Sequence, residues 1–523
     1  MTDRFTIGAL DRIKELAESR LRRFVKARPF VRYADVRISM SEGSGAFCEN
    51  GEEKYSGTDY GFSCGVRVLA GEEIAAAGYF GLTLGKDALS RFAAILEDGL
   101  THAYNRALCN ATHKNRAKQR FGPLGESLWD MALAPVEIAR ESVPAEYEIS
   151  PLSITPRNIS SHLKDISKEL AALDHRILYN QVGASTMLER EFFTSSEGSA
   201  IDQTFAITHG IAYVVASGKE GIQEHYDDIG HQRGWEVIEK GCTGPFIHSR
   251  DLRSFSLALA RESLELADAP PLRDTGKPVT VVTDPHFNAL LVHEIIGHPN
   301  ELDRALKMET AYAGRSWLLH DLERNQVGRQ VASPLLSAYS DPALPGFGHY
   351  RYDHEGTRGR RVYHIENGMY RGFMNSRQTA AVFGDEPNGS FTSVDAALVP
   401  LIRMSTTVIQ NGTRDPKDIL GEIDHGYYLV GHRIPSIAES RENFRITARK
   451  VYEITNGAPG RLFRDGGITA DSRDFLMQVD AVGNDFSIFP ISNCGKGQPM
   501  QSKKLGNGGP TLRSRARLTG TSV

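Results

Sequence analysis

The chain has 523 residues, 40% hydrophobic and 24% charged, with a formal net charge of −4. This is ordinary globular usage over a length that fits roughly two to four domains and can bury a large core without disulfides. Disorder, a collagen-like fibre and a disulfide scaffold are excluded, and no global basic field draws in nucleic acid or an anionic membrane.

The first helical pattern spans 7–29, with Ile7, Leu10, Ile13, Leu16, Leu21 and Val25 at helical spacing. Strand patterns follow at Tyr33–Met40, Gly61–Leu69 and Glu73–Phe80, the last two flanking a hairpin turn at Ala70-Gly71-Glu72. A second helix is expected over Gly85–Tyr104, then a solvated loop over the basic stretch Ala107–Arg120. Residues 142–160 read as a connection and 161–174 as a helix. Arg176–Val182, Glu189–Ser195 and Gln203–Ser217 read as strands, with Gly198 and Gly210 marking turns, and Asp251–Leu266 as a helix. Pro270, Pro271, Gly276 and Pro278 make 267–277 a linker. Beyond it Val279–Thr283 has a buried-strand pattern, Phe287–Gly297 is helical, and strands and turns dominate from 325. The expected class is α+β: an N-terminal mixed α/β domain over 1–270 and a C-terminal β-rich domain over 271–523.

Five cysteines, Cys48, Cys64, Cys109, Cys242 and Cys494, are too irregular for a secreted disulfide framework and form no CxxC pair. The N-terminus runs into a charged helical pattern, and the longest apolar runs fall far short of the ~20 residues a membrane span needs. A cytoplasmic protein with no membrane or nucleic-acid partner is expected.

The chemistry concentrates in Leu290–Pro299, which carries HExxxH as His293-Glu294-Ile295-Ile296-Gly297-His298. Imidazoles suit zinc, and a glutamate next to the first ligand can take a proton from water, the logic of HExxH metalloproteases. Residues five apart on an ideal α-helix point about 140° away from each other. A straight helix therefore cannot aim both histidines at one ion, and a break around Gly297, with Pro299 stopping continuation, is expected to swing His298 back. The apolar flanks argue for burial, and buried His and Glu need partners that a metal supplies. His209, His225 and His231, and His349, His354 and His364, lack diagnostic ligand spacing and read as ordinary polar histidines. Ser195–Ser199 reads as a hairpin turn. Lys503-Lys504 and Arg513–Arg517 make a basic tail, read as a solvated terminus.

This segment, together with others in the same order, resembles the TldD/PmbA family of metallopeptidases. Glu301-Leu302-Asp303 matches the acidic patch after HExxxH; Tyr352–Thr357 resembles the family's D-x-EGT turn; His364–Gly368 with Gly372–Gln378 resembles its IENG hairpin. Asn493–Gln498 with Gly506–Leu512 resembles its C-terminal CGK segment, and Gly65-Val66-Arg67 its N-terminal hairpin. The resemblance implies Zn2+ held by His293, His298 and Cys494. Cys494 also lies in a glycine-flanked turn after the apolar run Phe486–Ile491. With Glu294 as general base, hydrolysis of unfolded or short peptides is expected; Glu301 and Glu355 stand next as candidate bases. Pairing with a second copy or a TldE/PmbA-like paralogue around an enclosed cavity is implied, with the peptide docking as an added strand. Arg403, Ser405 and Thr406, where the family's Asn-Thr-Tyr segment would stand, are candidates to line that groove. An amidase tailoring a peptide-like natural product is a rival reading. A catalytically silent peptide-binding subunit is a second rival, but family members of that type lack HExxxH.

Overall fold

The computed structural model describes residues 6–121, 130–244, 246–309, 314–320 and 324–520. The architecture is α+β. The first sheet has seven strands, and its spine is two long hairpins, Val31–Glu49 with Glu52–Ala70 and Ile177–Ser195 with Ala200–Gly218. Val36, Ile38, Met40, Ala46 and Cys48 face one side, where the helices Leu10–Ala27, Phe92–Phe121, Pro156–Leu173 and Leu252–Ala267 bury them. The alternate positions Asp35, Arg37 and Ser39 are polar and also buried. Period-two alternation thus makes one face a helix platform and the other a polar wall against the C-terminal half. Arg37 there donates to the Leu398 carbonyl at 3.0 Å, and Arg67 pairs with Asp35 and Glu355, each at 2.6 Å.

The strands are longer than their local patterns suggest. The first hairpin turns at Asn50-Gly51, with φ 48° and 83°. Positive φ at both positions is the type I′ geometry that Asn-Gly favours. Gly210 marks no turn; it lies inside the strand Ala200–Gly218, and a further strand, Gly221–His231, follows. The basic stretch 107–120, expected as a loop, continues the helix Phe92–Phe121. Ala107 and Ala111 are buried beneath it, and Arg, Lys, Gln and Ala are good helix formers, so a polar outer face does not end it.

After the first sheet, Pro278–Thr283, His425–Ile437, Asn443–Thr455, Gly467–Asp471 and Leu512–Thr519 pair in succession, and the last pairs back on the first. This closed ring leaves these strands no free edge. A six-stranded sheet runs Met369–Tyr370, Val362–Glu366, Ala338–Ser340, Thr406–Ile409, Gln501–Gly509 and Ser487–Lys496 in spatial order. The helix Pro285–Val292 packs between the ring and this sheet, inside the largest apolar core. No helix of the described residues is long and apolar enough to cross a membrane.

Candidate metal centre

Asp284 starts the helix that carries the histidines. Its Oδ1 accepts from the Phe287 N–H at 2.7 Å and from the Gly431 N–H at 2.9 Å, capping the helix and tying it to the ring. The helix does not break at Gly297. It widens into a π turn over His293–Gly297, in which the His298 N–H donates to the His293 carbonyl. An i→i+5 bond stacks residues five apart, which removes the misalignment of ideal α winding. Gly297 stays in helical conformation at φ −60° and ψ −62°; its job is proximity, since a Cβ there would sit 1.9 Å from Met404 Sδ. The two imidazoles end 4.7 Å apart, centroid to centroid, and nearly perpendicular at 86°.

Cys494 arrives from the strand Ser487–Lys496, whose register against Gln501–Gly509 shifts between Ile491 and Cys494. Such a bulge re-aims a side chain. Its Sγ lies 3.6 Å from His298 Nε2. The donor atoms of His293, His298 and Cys494 lie within 4.8 Å of one another, and all three residues are buried. Among the described residues this is the one such grouping of three or more His, Cys, Asp or Glu side chains; the other histidine groups of the sequence form none. Two imidazoles and a thiol fit zinc.

Each ring is held from behind. His293 Nδ1 faces Asn507 Oδ1 at 3.4 Å, while Asn507 Nδ2 donates to the Thr407 carbonyl at 3.2 Å. His298 Nδ1 faces Glu301 Oε2 at 3.2 Å. This is the arrangement that fixes tautomer and orientation in metal-binding histidines. Glu301 is fully buried; Lys496, His298 and Arg304 overcome that burial and hold its carboxyl well below the usual range. Lys496 also donates to Asp303 at 2.7 Å and to the Ile402 carbonyl at 2.8 Å. Burial would lower His293 and raise Cys494, but each stabilises the other's charge: His293 is raised to about 9 and Cys494 is held well below the usual thiol value.

Glu294 and His293 line a cavity of about 390 Å³ bounded by Tyr226, His432 and Ile491. These residues come from the strands Gly221–His231, His425–Ile437 and Ser487–Lys496, one from each sheet system. Glu294 Oε2 is paired with the Arg441 guanidinium, and both side chains are buried. Arg441 belongs to the turn between two ring strands and has φ 67°, stabilised by Ser472 Oγ donating to its carbonyl at 2.7 Å. Sequence reasoning gave Arg441 and Asn507 no role. Arg441 looks like one more charge in an exposed turn; Asn507, inside the quoted Gly506–Leu512 segment, carried a signal.

The other expected site residues are elsewhere. Arg403, Ser405 and Thr406 are buried at 1%, 3% and 0% exposure, and none borders this cavity. Thr406 begins an interior strand already paired on both sides. Arg403 donates to the backbone carbonyls of Cys494 and Gln501, so it buttresses the cysteine's hairpin. Glu355 accepts from Arg67 at 2.6 Å and from the Arg377 N–H at 2.7 Å, fully committed to structure.

Residues 275–516 match the family model described as the PmbA/TldA metallopeptidase C-terminal domain. A metalloprotease of Methanothermobacter thermautotrophicus is 30% identical over 63% of this chain and 66% of its own length. One of Methanocaldococcus jannaschii is 25% identical over 93% of this chain and 97% of its own. A relative from Saccharolobus solfataricus, named a zinc metalloprotease TldD homolog, is 28% identical over 46% of this chain and 52% of its own. The crystal structure of TldE from Thermococcus kodakarensis superposes with a TM-score of 0.66 at 17% identity, covering 98% of this chain and 100% of that one. The segments that carry the resemblance in the sequence, the fold and these matches agree: the chain belongs to the TldD/PmbA family.

Proposed function

We propose that this chain is a zinc-dependent metallopeptidase acting on unfolded or short peptides, with His293, His298 and Cys494 as ligands and Glu294 as general base. The observation that carries this reading is the convergence of two imidazoles and a thiol beside a glutamate that borders a cavity. A bound zinc supplies Lewis acidity for the scissile carbonyl and makes water acidic enough to lose a proton near neutral pH. Glu294 takes that proton and delivers it to the departing amine. Arg441 orients the Glu294 carboxylate, while Glu301 and Asn507 hold the histidine rings in register.

Two sheet edges border the cavity, Gly221–His231 and Ser487–Lys496. An extended peptide can pair with such an edge through its backbone alone, which favours unfolded chains over any particular sequence. The protein works as one half of a dimer, with a second copy or a TldE-like paralogue closing the chamber. The test is Glu294→Gln. Metal content should stay at the wild-type level while turnover of a random peptide pool falls at least about 10²-fold. Near-normal turnover with metal retained would remove Glu294 from the mechanism.

A further inference from the structure

A second cavity, of about 310 Å³, lies on the polar side of the first sheet, between Glu189 and Glu191 and the strand segment Ser502–Lys504. Its volume is at the low end for small-molecule pockets. The charges around it are incompletely matched. Glu191 is committed to His354, its Oε2 lying 3.0 Å from Nε2. Asp395 accepts from the Ala397 N–H at 2.7 Å. Glu189, in contrast, has one hydrogen bond, from Ser39 Oγ at 3.0 Å, and no cation within 4.0 Å among the described residues.

On the other side stand Lys503 and Lys504. Lys503 Nζ donates to Thr392 Oγ1 at 2.8 Å and sits 4.8 Å from the Tyr350 ring centroid. Lys504 Nζ lies 5.7 Å from the Phe347 ring. Neither lysine has a carboxylate within 4.0 Å among the described residues. Glu189 and Lys504 feel each other's charge across the cavity without contact; partly buried charges with no counter-charge in contact are costly, and a ligand carrying both signs relieves that cost on both walls. The Glu189 carboxyl agrees with this: burial, then the Glu191 charge, pushes it up to about 8. The cavity also adjoins the metal centre, because Lys503 is the cross-strand partner of Cys494.

We infer that this cavity binds a short zwitterionic peptide, its carboxylate on Lys503 and Lys504 and its ammonium on Glu189. The choice of a peptide rests on the peptidase reading above, but binding can be measured without hydrolysis. The protein to use is the full-length chain carrying Glu294→Gln, titrated calorimetrically with alanyl-alanine, its N-acetyl form and its C-terminal amide. Alanyl-alanine should bind, and blocking either end should weaken binding at least tenfold. Lys503→Met with Lys504→Met should abolish the penalty for the amide, and Glu189→Gln the penalty for the acetyl group, with zinc stoichiometry unchanged as the check on folding. The inference is overturned if the free dipeptide does not bind, if all three forms bind equally, or if the penalties persist in the variants. Failure of the peptidase reading would show separately, as no wild-type turnover of any peptide.

Discussion

Two of the three side chains that would hold the metal, His293 and Cys494, are electrostatically linked. Before metal enters, His293 is raised to about 9 while Cys494 is held well below the usual thiol value, so near neutral pH they form an imidazolium–thiolate pair. Zinc needs the neutral imidazole and must displace one proton. Below about pH 9 zinc affinity should therefore fall about tenfold per pH unit, and chelator-competition titrations across that range should show the slope. A pH-independent affinity would contradict the pair. His293→Ala, His298→Ala or Cys494→Ser should each remove most bound zinc, because a three-ligand site loses its chelation with any one. Wild-type stoichiometry and affinity in Cys494→Ser would take Cys494 out of the ligand set. Arg441 acts through Glu294. Arg441→Ala leaves that carboxylate without its cation and should lower kcat about 10²-fold, with KM and metal content little changed. Arg441→Lys should recover part of the loss. Unchanged kcat in Arg441→Ala would reduce the pair to a structural contact.

At the scale of elements, the π turn over His293–Gly297 is the decisive device. HExxxH is one residue too long for α winding, and the wider turn absorbs that residue without breaking the helix. Gly297 lets the turn lie against Met404. Gly297→Ala would place a methyl in the space of Met404 Sδ, so the helix or the methionine must shift. A destabilisation of about 1–3 kcal/mol is expected in denaturant unfolding, with a loss of zinc affinity as His298 moves. Stability and affinity both at wild-type levels would show that the contact is slack. The hairpins teach a related lesson. Asn50-Gly51, Asn367-Gly368 and Asn456-Gly457 all take paired positive φ values and link antiparallel strands. Of these only Asn367-Gly368 was taken up from the sequence, within the family's hairpin; in the first hairpin the strands outrun their local pattern because the halves next to the turn carry Gly, Ser and charged residues instead of apolar alternation.

For the whole molecule, three sheet systems meet at the cavity beside Glu294, so the site exists only when all of them are assembled. If a partner encloses this chamber, light scattering should give about twice the 57.7 kDa of one chain, or one copy plus a similar partner. Folded globular proteins should resist cleavage while their short fragments are cut. A monomer that degrades folded globular proteins would rule out enclosure.

Read alone, the sequence determined the α+β class, the helix that carries His293, Glu294 and His298, and, through its resemblance, the family; the resemblance also singled out Cys494 as a candidate ligand, and the structure sets it beside the two histidines. These are legible because hydrophobic period and ligand chemistry are local properties. It also led to a loop at 107–120, where local polarity misleads, because burial depends on what packs against a segment; Arg403, Ser405 and Thr406, which the resemblance offered for a groove, are buried away from the cavity beside Glu294. Only the tertiary structure decided that the helix widens instead of breaking, that Arg441 faces Glu294 from 147 residues away, and that Asn507 and Glu301 orient the rings. Contacts between residues so distant in the chain leave no periodic trace in sequence, because they are set by how sheets and helices pack.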